Sequence, residues 1–218
     1  MSVKELSKLS QLHYKVDKYG KNKATKKINQ KLENSDYKLE SLKRGVAVYR
    51  HKDGSSVLNS KGTDIKNSKD ILSDIKLGLG MAKYDKQFQN RTKQIKQHMK
   101  NEKPSSVTLS GHSLGASTIT HAMAKSKSVR DNVKKAEVFN TGHTKLFNNE
   151  LSNGLTGDDK KVLKSKLTHH HVVGDVISTS LTDKGTIGKV KKYNKEGSLL
   201  EKHSLENFTD KPDTDIED

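Results

Sequence analysis

Val107-Thr108-Leu109-Ser110-Gly111-His112-Ser113-Leu114-Gly115-Ala116 joins a short apolar β-run to a serine flanked by glycines. A segment rich in small residues follows, from Leu114 to about Lys125, and reads as a helix. The pattern Gly-x-Ser-x-Gly is too short to mean much by itself; its setting gives it weight. A strand that turns abruptly into a helix holds the residue at the turn in a strained, outward position, and glycines on either side let backbone approach that closely. Ser113 is therefore the candidate nucleophile.

Outward from this turn, strand and helix signals alternate. Upstream, Val46-Ala47-Val48-Tyr49 and Ser55-Ser56-Val57-Leu58-Asn59 flank Asp53-Gly54, a hairpin signal. Residues 68–79 and 81–103 have helical character, the second with Tyr84, Phe88, Ile95 and Met99 on one face and Pro104 as its stop. Downstream, Ala136-Glu137-Val138-Phe139 and His171-Val172-Val173 are further strands. This alternation predicts an α/β fold with a mostly parallel sheet covered by helices. At the N-terminus, Ser2 and Glu5 form a capping box ahead of Leu6, Leu9, Leu12, Val16 and Tyr19 at helical spacing, with Gly20 as a stop. Residues 21–44, rich in Lys and Asn, read as a second helix or a basic arm.

A serine hydroxyl attacks only when a histidine accepts its proton and a carboxylate orients that histidine. On a sheet of this kind the order along the chain is Ser, then Asp or Glu, then His. Asp175 follows the β-run at His171 and so falls at the C-terminal end of a strand, where α/β sheets place their chemistry. Asp183 lies in the same region and is a second candidate. Only His203 follows Asp175, and exclusion selects it as the base.

In these stretches the sequence resembles the class 3 lipase family over residues 45–208. Lys61-Gly62-Thr63 resembles the family's Arg-Gly-Thr/Ser segment, and Leu72-Ser73-Asp74-Ile75 its Leu-x-Asp-Leu. Gly111 to Ala116 matches the family's elbow, His171 to Ile177 the surroundings of its catalytic Asp, and His203-Ser204-Leu205 its histidine region. The resemblance implies an α/β-hydrolase fold, cleavage of acyl esters of lipids, and an oxyanion hole from Thr63 and the backbone N–H of Leu114. Donors there stabilise the negative oxygen of a tetrahedral intermediate. It also implies a lid over residues 65–100, too charged here for a large greasy one. Three departures stand out: Lys61 replaces the family's Arg, Asn140-Thr141-Gly142-His143-Thr144 lacks its proline, and Val176-Ile177 replaces its Val-Pro.

The bulk properties bear on partners. The 218 residues suit one domain, and 30 % of them are hydrophobic. Even with the 15 glycines added, the apolar share stays under the roughly 45–50 % usual for globular domains. A net charge of +16 suits an anionic partner, a membrane surface or nucleic acid. Arginine, the preferred reader of bases, occurs only at positions 44, 50, 91 and 130, which makes nucleic acid the weaker of the two. The cysteine-free sequence has no apolar leader at its N-terminus and no apolar span long enough to cross a bilayer; the expected setting is cytoplasmic or within a virion. No cofactor is expected. Nor is a metal: adjacent residues of a strand point to opposite faces, so His169, His170 and His171 cannot all share one ion. His121 reads as a helix-surface residue and His143 as a loop residue.

The expectation is thus a basic helical extension over 1–44, a hydrolase domain over 45–208 and an acidic disordered tail over 209–218. Ester hydrolysis is the expected activity. The alternative is a non-catalytic protein of the same fold that binds nucleic acid or anionic membrane through its basic surface.

Overall fold

A computed structural model describes residues 1–62, 86–103, 106–142, 145–175, 177–178 and 186–209. Two helices come first, α1 (Val3–His13) and α2 (Lys15–Leu32), the second interrupted at Gly20. Strands β1 (Tyr37–Leu42), β2 (Val46–His51) and β3 (Ser56–Ser60) form an antiparallel meander. Then follow α3 (Lys86–Asn101), β4 (Val107–His112), α4 (Leu114–Lys125), α5 (Lys127–Asn132) and β5 (Lys135–Phe139). The remainder is α6 (Lys145–Ser152), α7 (Gly157–Lys166), β6 (Leu167–Val172), β7 (Lys189–Tyr193), α8 (Leu199–His203) and a 3₁₀ turn at Leu205–Phe208.

The seven strands lie in one sheet in chain order, parallel from β3 to β7. Successive parallel strands step in one direction, so right-handed crossovers put their helices on a single face. That face is apolar: Val48, Leu58, Leu109 and Val138 meet Phe88 and Ile95 of α3, Ile119 and Met123 of α4, and Phe147 of α6. The residues between them on the strands, such as Tyr49, Val57 and Phe139, point to the other face, as a period of two requires. Among the described residues no crossover helix reaches that side. The N-terminal helices cover it instead, with Leu6, Leu9, Val16, Ala24 and Ile28 all buried.

The leucine face of α1 therefore packs on the sheet and is not free for a membrane. Strand β1 belongs to the stretch read as extension, so residues 37–42 share the sheet with the 45–208 segment. Neither β1 nor β7 was legible. Both are edge strands with one neighbour, largely exposed between a few buried positions; β1 alternates only over Tyr37-Lys38-Leu39-Glu40 before its register shifts, and β7 is mostly lysine. The helix predicted over 68–79, the lid segment up to residue 85 and the tail from 210 lie outside the described residues. No described helix is long and apolar enough to cross a membrane.

Part of the contact between α1 and the sheet is polar. Ser7, Ser10 and His13 recur every three residues on its buried side. Ser10 Oγ lies 3.0 Å from Ser110 Oγ of β4 and accepts from Asn59 Nδ2 of β3; His13 Nδ1 is 2.9 Å from Asn59 Oδ1. Tyr49 donates to the Leu9 carbonyl at 3.0 Å. Leu6 is fully buried, so Leu6→Ala is expected to cost about 2–5 kcal/mol of stability, read as a lower urea midpoint. Lys8→Gln, exposed on the other side of the same helix, should leave the midpoint within about 0.5 kcal/mol. Equal effects would mean that α1 does not pack as described.

Candidate active site

The centre of the sheet, β4, ends at His112, and α4 begins at Leu114. Ser113 alone makes the turn. Its backbone sits at φ 55° and ψ −126°, a conformation that costs a non-glycine residue about 1–3 kcal/mol. Two neighbours hold it there: Ser113 N–H donates to the Phe139 carbonyl at 3.0 Å, and Ser117 N–H to the Ser113 carbonyl at 3.1 Å. Glycine is required around it. A Cβ on Gly115 would lie 2.0 Å from the Ser60 carbonyl oxygen, and one on Gly62 would lie 2.9 Å from Ser113 Cβ.

Ser113 Oγ is buried and has no hydrogen-bond partner among the described residues. The same is true of His203 Nε2. The other ring nitrogen of His203 is occupied: Nδ1 lies 2.9 Å from Asp175 Oδ2. The structure therefore joins Asp175 to His203 and leaves Ser113 Oγ and His203 Nε2 as open ends. Burial alone would raise the Asp175 pKa, but the hydrogen bonds from His203, Ser178 and the Ile177 N–H outweigh it and hold the group below the ordinary carboxylate value. Asp175 is thus a carboxylate that only accepts, and His203 donates its Nδ1–H to it.

Asp175 sits three residues past β6, with its N–H on the Val172 carbonyl at 3.0 Å. Ser178, which the sequence reading missed, donates to Asp175 Oδ2 and accepts from His171 Nδ1–H at 2.6 Å. A serine three residues after an aspartate in a loop was the available signal.

His203 closes α8, a five-residue helix capped by Ser198 and Glu201. A second chain of hydrogen bonds fixes its backbone. His112 Nε2 lies 2.7 Å from the His203 carbonyl, which can only accept, so Nε2 carries the proton. His112 Nδ1 must then accept, and Tyr14 O–H donates to it at 2.8 Å while Gly62 N–H donates to Tyr14 at 2.9 Å. The His112 and His203 rings lie 4.7 Å apart, at 40° to each other. On the far side, Ser7 of α1 donates to the Leu205 carbonyl at 2.9 Å. Asn140 completes the frame, donating to the Lys202 carbonyl and accepting from Val172 N–H. No local pattern announced Tyr14, which is 98 residues from its partner.

Leu114 N–H lies at the start of α4, ahead of the first intrahelical bond from Ser117, and is oriented as a helix N-terminal donor. Thr63, Asp183 and His143 lie outside the described residues. Lys61, the departure from the family's arginine, is buried: its ammonium binds the Asp17 carboxylate of α2 and the Gly62 carbonyl.

The three consecutive histidines divide between the faces of β6. His169 bonds Thr141 and the Ile187 carbonyl, His170 bonds Tyr193 and Glu137, and His171 bonds Ser178. Among the described residues no group of three or more metal-ligating side chains converges. His121, read as a surface residue, is half-buried against the rings of Phe88 and Phe147.

A central strand that ends in a serine elbow, on a mostly parallel sheet with helices on both sides, defines an α/β-hydrolase fold. A family model described as "Lipase (class 3)" matches residues 22–182, well over half of the chain. The chain belongs to the class 3 lipase family and is a lipase-type ester hydrolase. The match stops before His203. No curated protein matches the chain. Among solved structures, a crystal structure of M37 lipase is similar with a TM-score of 0.48 and 12 % identity, over 84 % of this chain and 71 % of that one.

Three fully buried histidines make the fold sensitive to acid. Burial pushes His112 down to about 3 and His13 and His169 to about 4, and both ring nitrogens of His112 and of His169 are hydrogen-bonded. Their folded pKa values lie below the unfolded value near 6.5, so the unfolded chain binds protons that the folded one refuses. Their stabilisation is complete above pH 6.5 and is lost as pH falls towards 4. Unfolding free energies from urea melts should be level from pH 8 to 7, then drop by up to about 4 kcal/mol per pH unit. A midpoint unchanged down to pH 5 would contradict this.

Proposed function

We propose that the chain cleaves acyl esters of lipids through Ser113 as nucleophile, His203 as base and Asp175 as its orienting carboxylate. The observation that carries the reading is the pair of open ends. A buried serine hydroxyl on a strained elbow and a buried histidine nitrogen lack partners, while a carboxylate holds the other side of that histidine.

The chemistry follows from the proton inventory. Ser113 Oγ attacks the ester carbonyl carbon as its proton passes to His203 Nε2. The imidazolium that forms is stabilised by Asp175, which stays ionised. The carbonyl oxygen becomes an oxyanion held by Leu114 N–H and by Thr63. The bond to the leaving alcohol then breaks, and His203 returns the proton to that oxygen. Water, deprotonated by His203, attacks the acyl-serine, and the fatty acid departs with Ser113 restored. These groups complete the cycle without a cofactor.

Ser113→Ala should abolish labelling by a fluorophosphonate and lower turnover of a soluble short-chain ester by roughly a millionfold. Its melting temperature should match that of the parent. Labelling that persists in the variant would sink the assignment.

Asp175→Asn should keep the fold yet lower turnover roughly ten-thousandfold, because the amide would favour the wrong imidazole tautomer. Ser178→Ala removes one of the donors to Asp175 and leaves the carboxylate, so its loss should be far smaller. If Asp183→Asn shows the large loss and Asp175→Asn does not, the orienting carboxylate is Asp183.

A further inference from the structure

Helix α2 carries seven lysines, Lys15, Lys18, Lys21, Lys23, Lys26, Lys27 and Lys31, against a single acid, Asp17. That carboxylate is engaged by the buried Lys61 and neutralises nothing on the surface. Val16 before the break at Gly20 and Ala24, Ile28 and Leu32 after it are buried, while Lys15 and Lys27 are half-buried. Lys18, Lys21, Lys23, Lys26 and Lys31 are exposed. Three ammonium groups gather on one half-buried ring: Lys18, Lys23 and Lys27 stand 5.4, 5.6 and 4.8 Å from the centre of Tyr19. Of the other described helices, α3 also carries lysines without an acid, at 86, 93, 96 and 100, but among the described residues it has no ring at which they gather; elsewhere several surface lysines are matched by acids. Lys52 pairs with Asp36, Lys127 with Asp131 and Lys161 with Asp158.

The position of this patch is as informative as its charge. Tyr14, the residue before α2, is hydrogen-bonded to His112 and Gly62 beside Ser113, and Asp17 is tied to Lys61 next to Gly62. At a helical rise of about 1.5 Å per residue, Tyr19 lies roughly 8 Å along the axis from Tyr14. The lysine-rich surface thus begins at the rim of the candidate active site.

We propose that the outer face of α2 around Tyr19 docks the protein on an anionic lipid bilayer and brings the Ser113 edge of the sheet to that surface. Charge complementarity selects the partner. A surface of anionic headgroups offers many shallow negative sites to a spread of flexible ammoniums, and the Tyr19 ring suits the headgroup layer. Base readout in nucleic acid would call for guanidinium forks, but Arg50, Arg91 and Arg130 are all engaged within the fold. The apolar side of α2 is buried, so docking is electrostatic, without insertion, and salt reverses it. The inference depends on the ester-hydrolase reading only for where the substrate lies; docking itself can be read without catalysis.

The test uses full-length protein carrying Ser113→Ala, sedimented with phosphatidylcholine vesicles with and without phosphatidylserine. Binding should require phosphatidylserine and weaken steeply as salt rises. Adding Lys18→Gln, Lys23→Gln and Lys27→Gln should weaken it about a hundredfold, at roughly fivefold per lysine. A charge-matched control, Lys160→Gln, Lys161→Gln and Lys164→Gln on α7, should bind within about twofold of the parent, and melting curves should show both triple variants folded. In the active protein, the α2 triple should lose hydrolysis of a vesicle-borne ester and keep hydrolysis of a soluble one. Three results would each overturn the proposal: equal binding to neutral vesicles, equal loss in the α7 control, or tighter binding to duplex DNA than to anionic vesicles at the same salt. An inactive enzyme that still docks as described would overturn the proposed reaction and leave the docking surface standing.

Discussion

The architecture turns on one steric constraint, the passage from β4 to α4 in a single residue. A chain that leaves the middle of a sheet has strands on both sides, and here β3 and β5 flank the exit. Helix α4 can begin against the end of β3 only because residue 115 has no side chain; even one carbon there would sit 2.0 Å from the Ser60 oxygen. That closeness forces Ser113 into positive φ, and the Phe139 carbonyl at the end of β5 holds it. The strain is local and the means of holding it are spread over three strands. A nucleophile placed this way moves only if the sheet moves, which is the rigidity that a hydroxyl aimed at one carbon atom requires.

The histidine poses the opposite problem. It arrives late in the chain, on a short helix that contributes little stability of its own. Its ring is fixed by Asp175, but a ring is only as well placed as the backbone that carries it. That backbone is fastened from three directions: His112 holds its carbonyl, Asn140 holds the carbonyl before it, and Ser7 holds the Leu205 carbonyl just after it. The Ser7 bond spans 198 residues of sequence. Loop-closure entropy grows only with the logarithm of the separation, so such contacts are costly in folding time more than in stability. The N-terminal helix is thereby a structural part of the site, although no sequence reading centred on the elbow would include it.

What the sequence disclosed and what it hid follow a physical division. The elbow was legible because its constraint is local: a β-run, two glycines around a serine and a small-residue helix all stand within twenty residues. Most strands inside the sheet were legible for the same reason, since burial on both faces favours apolar runs; β6 was caught only at its end, His171-Val172, because Thr168, His169 and His170 make it polar. Asp175 was readable from its place at a strand end, and His203 only by exclusion. The edge strands β1 and β7 escaped because an edge demands little of its outward side chains. Tyr14, Asn140 and Ser178 escaped because their roles are pairwise and distant, and a tyrosine beside the active site looks like any other tyrosine until the fold brings it there. The leucines of α1 were visible as an amphipathic face, but amphipathicity does not say what lies against it.

What lies against it explains why that interface is partly polar. An all-leucine contact between α1 and the sheet would bury more apolar area and would also tolerate small slides of the helix. Ser10 on Ser110 and Asn59, His13 on Asn59, and Tyr49 on the Leu9 carbonyl each accept one position only. An unmet buried partner costs about 1–3 kcal/mol, so a slid helix is penalised several times over. The register matters because of where α1 ends. One residue beyond His13, the Tyr14 hydroxyl has to reach His112, and a shift of one residue along the helix rotates it by about 100° away from that ring. The polar seam of α1 sets Tyr14, Tyr14 holds the accepting nitrogen of His112, and the other nitrogen of His112 donates to the carbonyl of His203. Specificity of packing at the first helix is in this way carried, bond by bond, to the nitrogen that must take the proton.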